Sequence, residues 1–271
     1  MKLSFSTLGT PNYNVDQIID IAVKSGYQGI EVRAVNGTTD IEKLDDFKGS
    51  GLAETAKKIK EAGLEVACLG TSVRFNRTCK EEQDKNLELA RTYIGIAKAL
   101  DCRYFRVFGG PLPQTQGYNE TMKWIWEGQS KLSELAKSMD ALPLIETHDD
   151  FSTSVRIKEV IAGMSAGSEL GVCWDVLHPL RFGEPLNVTY EAFKDIIYHV
   201  HIKDSTKFSD NNFDFELVGE GNVPIAECIA LLKSGGYNGY LSFEWEKLWH
   251  PEIPEPEVAI PHYAKHIKDF M

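Results

Sequence analysis

Four apolar runs in the C-terminal half of the chain each end in side chains that can hold a cation or move a proton. Residues 142–148 (LPLIETH) end in Glu146 and His148, and residues 171–175 (GVCWD) end in Asp175, with His178 three positions on. Residues 197–204 (IYHVHIKD) carry His199, His201 and Lys203, and residues 240–246 (YLSFEWE) carry Glu244 and Glu246. In an extended strand, alternate side chains share one face, so each run presents its polar residues together. Charged groups beside such apolar segments are costly unless they are paired or metal-bound. Glu146, Asp175, His201 and Glu244 offer three carboxylates and one imidazole to a single divalent ion. That mixture suits Mn2+ first, with Zn2+, Co2+, Fe2+ and Mg2+ also compatible. The competing reading is an ion-pair network tying the strands to Arg33, Arg106 and Lys203.

These residues need a scaffold that brings strand ends to one place. Short β-branched or aromatic runs recur about every 34 residues from Leu3 to Tyr240, eight in all, with helical stretches between them. A strand, a crossover helix and two loops need roughly 30 residues. Eight such units predict a single-domain (β/α)8 TIM barrel spanning residues 1–271, a class of about 250 residues whose chemistry gathers at the C-terminal strand ends. A doubly wound open sheet is the alternative, but no GxGxxG opens the first helix. Helices are predicted at 15–25, 52–62, 80–100, 120–139, 154–164, 189–195, 224–234 and 257–270. Residues 15–25 are apolar at 15, 18, 19, 22 and 23, followed by Gly26 as C-cap.

Composition narrows the function. The chain has 271 residues and a net charge of −11, which argues against binding phosphate backbones. No apolar run reaches the roughly 18 residues of a membrane span, and the first residues lack a signal peptide's apolar segment. Five cysteines with no CxxC read as reduced thiols in a cytoplasmic protein.

IETH, CWDVLHP, YHVHIKDS and SFEWEK, in this order, resemble the xylose isomerase-like TIM-barrel superfamily. It includes ketose 3-epimerases, hydroxypyruvate isomerases, inosose dehydratases and endonuclease IV nucleases. The resemblance runs over the whole chain, with specific motifs on strands five to eight. It implies that Glu146, Asp175, His201 and Glu244 hold the metal and that His178 contacts substrate oxygens. It also implies that Glu146 and Glu244 act as acid and base on opposite faces of the substrate, as in the epimerases. Lys203 matches the lysine of inosose dehydratases that takes part in proton removal. The extra histidines of the nucleases are missing from CLGTSVRF and RVFGGPLP, and Phe213-Asp214-Phe215 stands where their D-R-H motif would be. No nucleic-acid or membrane partner is therefore expected, and homo-oligomers are expected only as in many relatives.

The shared chemistry is proton abstraction α to a carbonyl, in which a divalent ion on the carbonyl and hydroxyl oxygens stabilises the enediolate. The expected activity is metal-dependent isomerisation or epimerisation of a sugar or polyol. The alternatives are a lyase of the same fold, dehydrating an inosose or cleaving a 3-keto-glycoside by β-elimination, and a non-catalytic carbohydrate-binding barrel. His148, Lys203 and Arg106 join His178 as candidate substrate contacts. Arg106 and Arg74 could meet a phosphate or carboxylate. Trp124, Trp126, Trp249 and Tyr13 could line a sugar-binding mouth or a subunit contact.

Overall fold

The strands form where the apolar runs lie, and each polar end falls at or just beyond the last paired residue. The computed structural model describes residues 1–77, 79–209 and 212–271. Its strands are β1 (Lys2–Ser6), β2 (Gly29–Val32), β3 (Glu65–Gly70), β4 (Tyr104–Val107), β5 (Leu142–Glu146), β6 (Gly171–Asp175), β7 (Ile197–Ile202), β8 (Asp204–Ser209), β9 (Asn212–Glu216) and β10 (Tyr240–Phe243). Strands β1 to β7 and β10 pair in parallel and close into a barrel, β10 pairing with β1 from Lys2↔Tyr240 to Phe5↔Phe243. This is a (β/α)8 TIM barrel. The antiparallel hairpin of β8 and β9, which periodicity does not announce, is inserted between the seventh and eighth barrel strands.

The helices are α1 (Val15–Ser25), α2 (Gly49–Glu61), α3 (Lys80–Ala99), α4 (Tyr118–Ser138), α5 (Ser154–Gly163), α6 (Leu177–Arg181), α7 (Leu186–Phe193), α8 (Ile225–Ser234) and α9 (Pro256–His266). Eight of these match the expected helices within a few residues. The ninth, α6, is a single short turn too brief to show a period, and it carries His178. Helix α1 illustrates the local control. Asn14 accepts from the Gln17 amide while the Gln17 side chain accepts from the Asn14 amide, a capping box of about 1 kcal/mol. Gly26 closes the helix at φ 78°, a left-handed conformation suited to glycine.

Strand alternation divides the interior in two. Outward residues such as Phe5, Leu69, Phe105, Trp174, Val200 and Phe243 pack into one core between sheet and helices. The Trp174 ring lies 6.3 Å from that of Tyr190 on α7, so it faces the helices as its parity requires. Inside the barrel a small apolar cluster of Cys68, Leu142, Leu144 and Cys173 fills the axis. The rest of the barrel interior is polar: Ser4, Ser6, Glu31, Arg106, Glu146, Asp175, His199, His201, Lys203 and Ser242 are all buried. That polar column is what the fold positions for function.

Candidate active site and cation-binding cluster

The cluster is built at the ends of β5, β6, β7 and β10. Glu146 is the last residue of β5, and Thr147 follows as a clamp. The Thr147 hydroxyl accepts from the Asp175 amide at 2.9 Å and donates to the Asp175 carbonyl at 3.0 Å, holding β5 against β6. One Asp175 oxygen, Oδ1, accepts from the amides of Leu177 and His178 at 2.9 and 3.2 Å and so starts α6. The other, Oδ2, turns to the cluster. The D-x-x-H spacing thus places the His178 ring 3.7 Å from Asp175 Oδ2.

His201 is the hub. Its Nδ1 lies 3.0 Å from Glu146 Oε1, 3.3 Å from Glu244 Oε1 and 3.9 Å from Asp175 Oδ2. Glu146, Asp175, His201 and Glu244 each offer a ligand atom, and these atoms lie within 4.8 Å of one another, all buried. Glu146 Oε2 and Asp175 Oδ2 meet charged side chains and, among the described residues, no backbone donor: Arg106 Nε lies at 3.1 Å and Lys203 Nζ at 2.8 Å. Three carboxylates and one imidazole converging in a buried site is a donor set that a divalent cation fits.

The ion-pair reading is realised at the same time. Arg106 Nε lies 3.1 Å from Glu146 Oε2, and its Nη1 donates to the Thr71 carbonyl at 2.7 Å. Lys203 is fully buried, with Nζ 2.6 Å from Glu244 Oε2, 2.6 Å from Glu246 Oε1 and 2.8 Å from Asp175 Oδ2. For the two glutamates the arrangements are compatible, because Arg106 and Lys203 take their outer oxygens while each Oε1 stays turned towards His201; Asp175 Oδ2 is shared between Lys203 and the cluster.

The electrostatics follow from burial and these neighbours. Burial pushes Asp175 up to about 6, with Lys203 opposing and Glu244 and Glu146 adding to the rise. Burial also acts against charge on Glu146 and Glu244. Arg106 and His201 nevertheless hold Glu146 below its ordinary range, and His201 and Lys203 hold Glu244 well below it. Burial would neutralise His201, but Cys173, Glu244, Glu31 and Glu146 keep its pKa well above the usual value. The imidazolium proton on Nδ1 thus lies among the carboxylates and supplies charge that a bound divalent cation would supply in its place.

Burial lowers the pKa of His178 well below the ordinary value, helped by the positive charge of neighbouring His148, Lys203 and Arg181. Its Nδ1 lies 2.9 Å from the Arg181 guanidinium, an obligatory donor, which assigns the proton of the neutral ring to Nε2. His148 lies beyond β5 with its ring 4.4 Å from that of His178 and its Nδ1 3.1 Å from Asp149 Oδ1. His148, His178, Arg106 and Lys203 are all brought to this end of the barrel. Trp126 donates its indole N–H to the Glu159 carbonyl, between α4 and α5. The Gly-rich run VGEGNVP forms a turn before α8, and its amides enclose a carboxylate of this chain. Asp204 accepts from Gly219, Gly221 and Val223 at 2.9 to 3.1 Å.

One residue here escapes a reading of the sequence by runs. Glu31 sits in the middle of GIEVR, and its Oε2 accepts from His199 and His201. Glu246, carried by the run at 240–246, receives Lys203. A carboxylate inside an apolar strand was the available signal for Glu31. A cavity of about 450 Å3 lies at the opposite end of the barrel, lined by Tyr104, Tyr198, Tyr237 and Tyr240, away from these groups.

The barrel and its strand-end cluster define a class of enzyme-like TIM barrel, and comparison with known proteins supplies the family. Residues 19–269 match the family model described as xylose isomerase-like TIM barrel, and the chain belongs to that family. It is 23% identical over 261 residues to a fructoselysine 3-epimerase of Shigella flexneri, covering 90% of both chains. It is also 23% identical to an inosose isomerase of Bacillus velezensis, covering 93% of this chain and 90% of the relative. Among solved structures, the IolI protein with a bound zinc atom superposes with a TM-score of 0.82 at 19% identity, over 100% of this chain and 98% of the other. An L-ribulose 3-epimerase superposes at 0.81 and 15% identity, over 99% and 94%. The two sequence relatives are named for epimerase and isomerase activities, and the two solved structures share the fold of this chain. No helix among the described residues is long and apolar enough to cross a membrane.

Proposed function

We propose that this chain is a divalent-metal-dependent isomerase or epimerase that abstracts a proton α to the carbonyl of a sugar or polyol. The observation that carries this reading is the convergence of Glu146, Asp175, His201 and Glu244 within 4.8 Å. These four would hold the ion, Mn2+ first among Mn2+, Zn2+, Co2+, Fe2+ and Mg2+. When bound there, the cation supplies Lewis acidity at the substrate carbonyl.

The remaining work falls to the chain's own groups. Glu146 and Glu244 lie on either side of His201 Nδ1, each with its outer oxygen held by a buried cation, Arg106 or Lys203. One carboxylate removes the α-proton and the other returns a proton on the opposite face. The Nε2–H of His178, which has no acceptor among the described residues, is available to a substrate oxygen. His148 sits against His178 and extends the polar wall. Arg106 and Lys203 orient the two glutamates and bring positive charge close to an oxyanion.

A lyase of the same fold is the second reading. Lys203 bears on it through its match to the lysine of the inosose dehydratases, and its ammonium is fully buried within 2.8 Å of Asp175, Glu244 and Glu246. The test is incubation with ketoses, inososes and 3-keto-glycosides in D2O with each cation, followed by chelation and NMR. Deuterium at the α-carbon is expected, with an epimer or isomer as product. An absorbing enone would mark the lyase. Binding without exchange in every case would leave a carbohydrate-binding barrel and remove the enzyme reading.

A further inference from the structure

Beneath the cluster lies a carboxylate that none of the steps above uses. Glu31, on β2, is completely buried. A single oxygen, Oε2, is 2.9 Å from His201 Nε2, 2.8 Å from His199 Nε2 and 3.0 Å from the Ser242 hydroxyl. Register explains the meeting. His201 pairs with Ser242 across β7 and β10, and Glu31 pairs with Ser6 across β1 and β2, so all face the same axis.

The two nitrogens of the His201 ring therefore face different worlds. Nε2 points down to Glu31, and Nδ1 points up to Glu146 and Glu244 at 3.0 and 3.3 Å. An ionised carboxylate only accepts hydrogen bonds, so the nitrogen against Glu31 carries a proton in both the neutral and the charged ring. The lone pair of the neutral ring is then on Nδ1, aimed at the centre of the four donors. The Oε2 atom also receives the Ser242 hydroxyl, which fixes it from a second strand.

We infer that Glu31 is the positioning residue of the cation site, holding His201 with Nε2–H inward and Nδ1 as the nitrogen ligand. The inference rests on the metal reading proposed above. Its physical basis is that a carboxylate on the far nitrogen fixes the tautomer, fixes the ring plane and raises the basicity of the near nitrogen. Loss of such a partner costs roughly 10 to 100-fold in metal affinity. His199 is the second N–H donor on the same oxygen. Its Nδ1 has no hydrogen-bond partner among the described residues, so none of them orients it as a ligand.

The rival arrangement is a second cation held by Glu31, His199 and His201, whose donor atoms also lie within 4.8 Å of one another. The contacts of 2.8 and 2.9 Å are those of N–H donors on one carboxylate oxygen, and they favour hydrogen bonding.

The experiment uses the full chain labelled with 15N-histidine and titrated with zinc, which is diamagnetic. In the wild type, His201 should show a proton on Nε2 and the metal on Nδ1, with one zinc per chain. Glu31→Gln and Glu31→Leu should bind zinc about 10 to 100-fold more weakly by chelator competition. Coordination through Nε2 would overturn the inference, and so would zinc affinity unchanged in both variants. Two zinc ions per chain, the second lost with Glu31, would make Glu31 a ligand and overturn it also. The wild-type spectrum decides the tautomer even if a variant fails to fold. A wild type that binds no zinc would instead remove the metal reading, and this inference with it. A wild type that binds zinc through Nε2 would remove this inference alone.

Discussion

One oxygen of Asp175 accepts the backbone amide of His178 at 3.2 Å, while the other lies 3.7 Å from the His178 ring. A single carboxylate thus starts the turn that carries the histidine and turns its second oxygen to the cluster beside it, where Lys203 Nζ lies 2.8 Å away. The histidine is held next to the donors without being one of the four. Substituting His178 should therefore separate substrate contact from cation binding. His178→Asn is expected to keep metal content near one ion per chain and to lower kcat/KM by roughly 10-fold or more, the loss of one hydrogen bond in the transition state. Metal analysis beside turnover of the substrate found by the screen checks this. An emptied site would make His178 a ligand.

The two glutamates should behave differently from His178. Glu146→Gln and Glu244→Gln keep size but remove charge and basicity. Each is expected to lower kcat by about 100-fold or more and to weaken cation binding. Steady-state kinetics at saturating cation measures the first effect and calorimetry the second. Full activity in either variant would exclude that residue from proton transfer.

Cation binding should depend on pH with a defined sign. Asp175, raised to about 6, keeps its proton in the folded protein where the unfolded chain has lost it. Its stabilising contribution is thus present at low pH and fades as pH rises through about 6 in the cation-free protein. A bound cation needs the ionised carboxylate and a deprotonated His201 Nδ1, so below 6 two protons must leave and affinity should fall by up to about a hundredfold per pH unit. Near pH 7, His201 must also release its Nδ1 proton, since its pKa is held above the ordinary value. Calorimetry in buffers of different ionisation enthalpy should show proton release on binding. Binding at pH 7 with no release would contradict the state assigned to His201.

Lys203 is a structural counter-charge before it is anything else. Lys203→Met leaves Asp175, Glu244 and Glu246 to repel one another in a buried site. Removing one partner from such a group costs about 3–5 kcal/mol. The cation-free variant should melt well below the wild type, and added divalent ion should recover part of the loss. Equal melting temperatures without cation would show that the ammonium is not what neutralises the three carboxylates.

Asp204 provides a control away from proton transfer. Its carboxylate accepts from the amides of Ser205, Gly219, Gly221 and Val223 at 2.8 to 3.1 Å. A Cβ on Gly221 would fall 2.1 Å from Asp204 Oδ1, so the turn closes only with glycine there. Asp204→Asn should destabilise by about 2 kcal/mol, the scale of hydrogen bonds to a charged acceptor, with cation affinity unchanged. Thermal melting and zinc titration measure the two. A loss of zinc binding in a folded variant would tie this loop to the cluster.

Much of this protein was determined by local sequence. Period-2 runs such as GVCWD and period-3.6 stretches such as 15–25 set strand and helix, because each side chain's face follows from backbone geometry alone. Eight repeats of about 34 residues dictated the barrel, and strand parity put Glu146, Asp175, His201 and Glu244 on its inner side. What the chain order could not state is which inward groups meet across the axis. Glu31 lies 170 positions from His201, yet they share a hydrogen bond because barrel closure and register bring β2 opposite β7. The short turn α6 and the β8–β9 hairpin likewise escape periodicity. The first is too brief for a period and is started by a side-chain oxygen, and the second is an insertion stabilised by its own pairing. Three carboxylates around Lys203 belong to the same category. Their proximity, and so their protonation, is decided by distances of a few ångströms between strands, which only the closed tertiary structure defines.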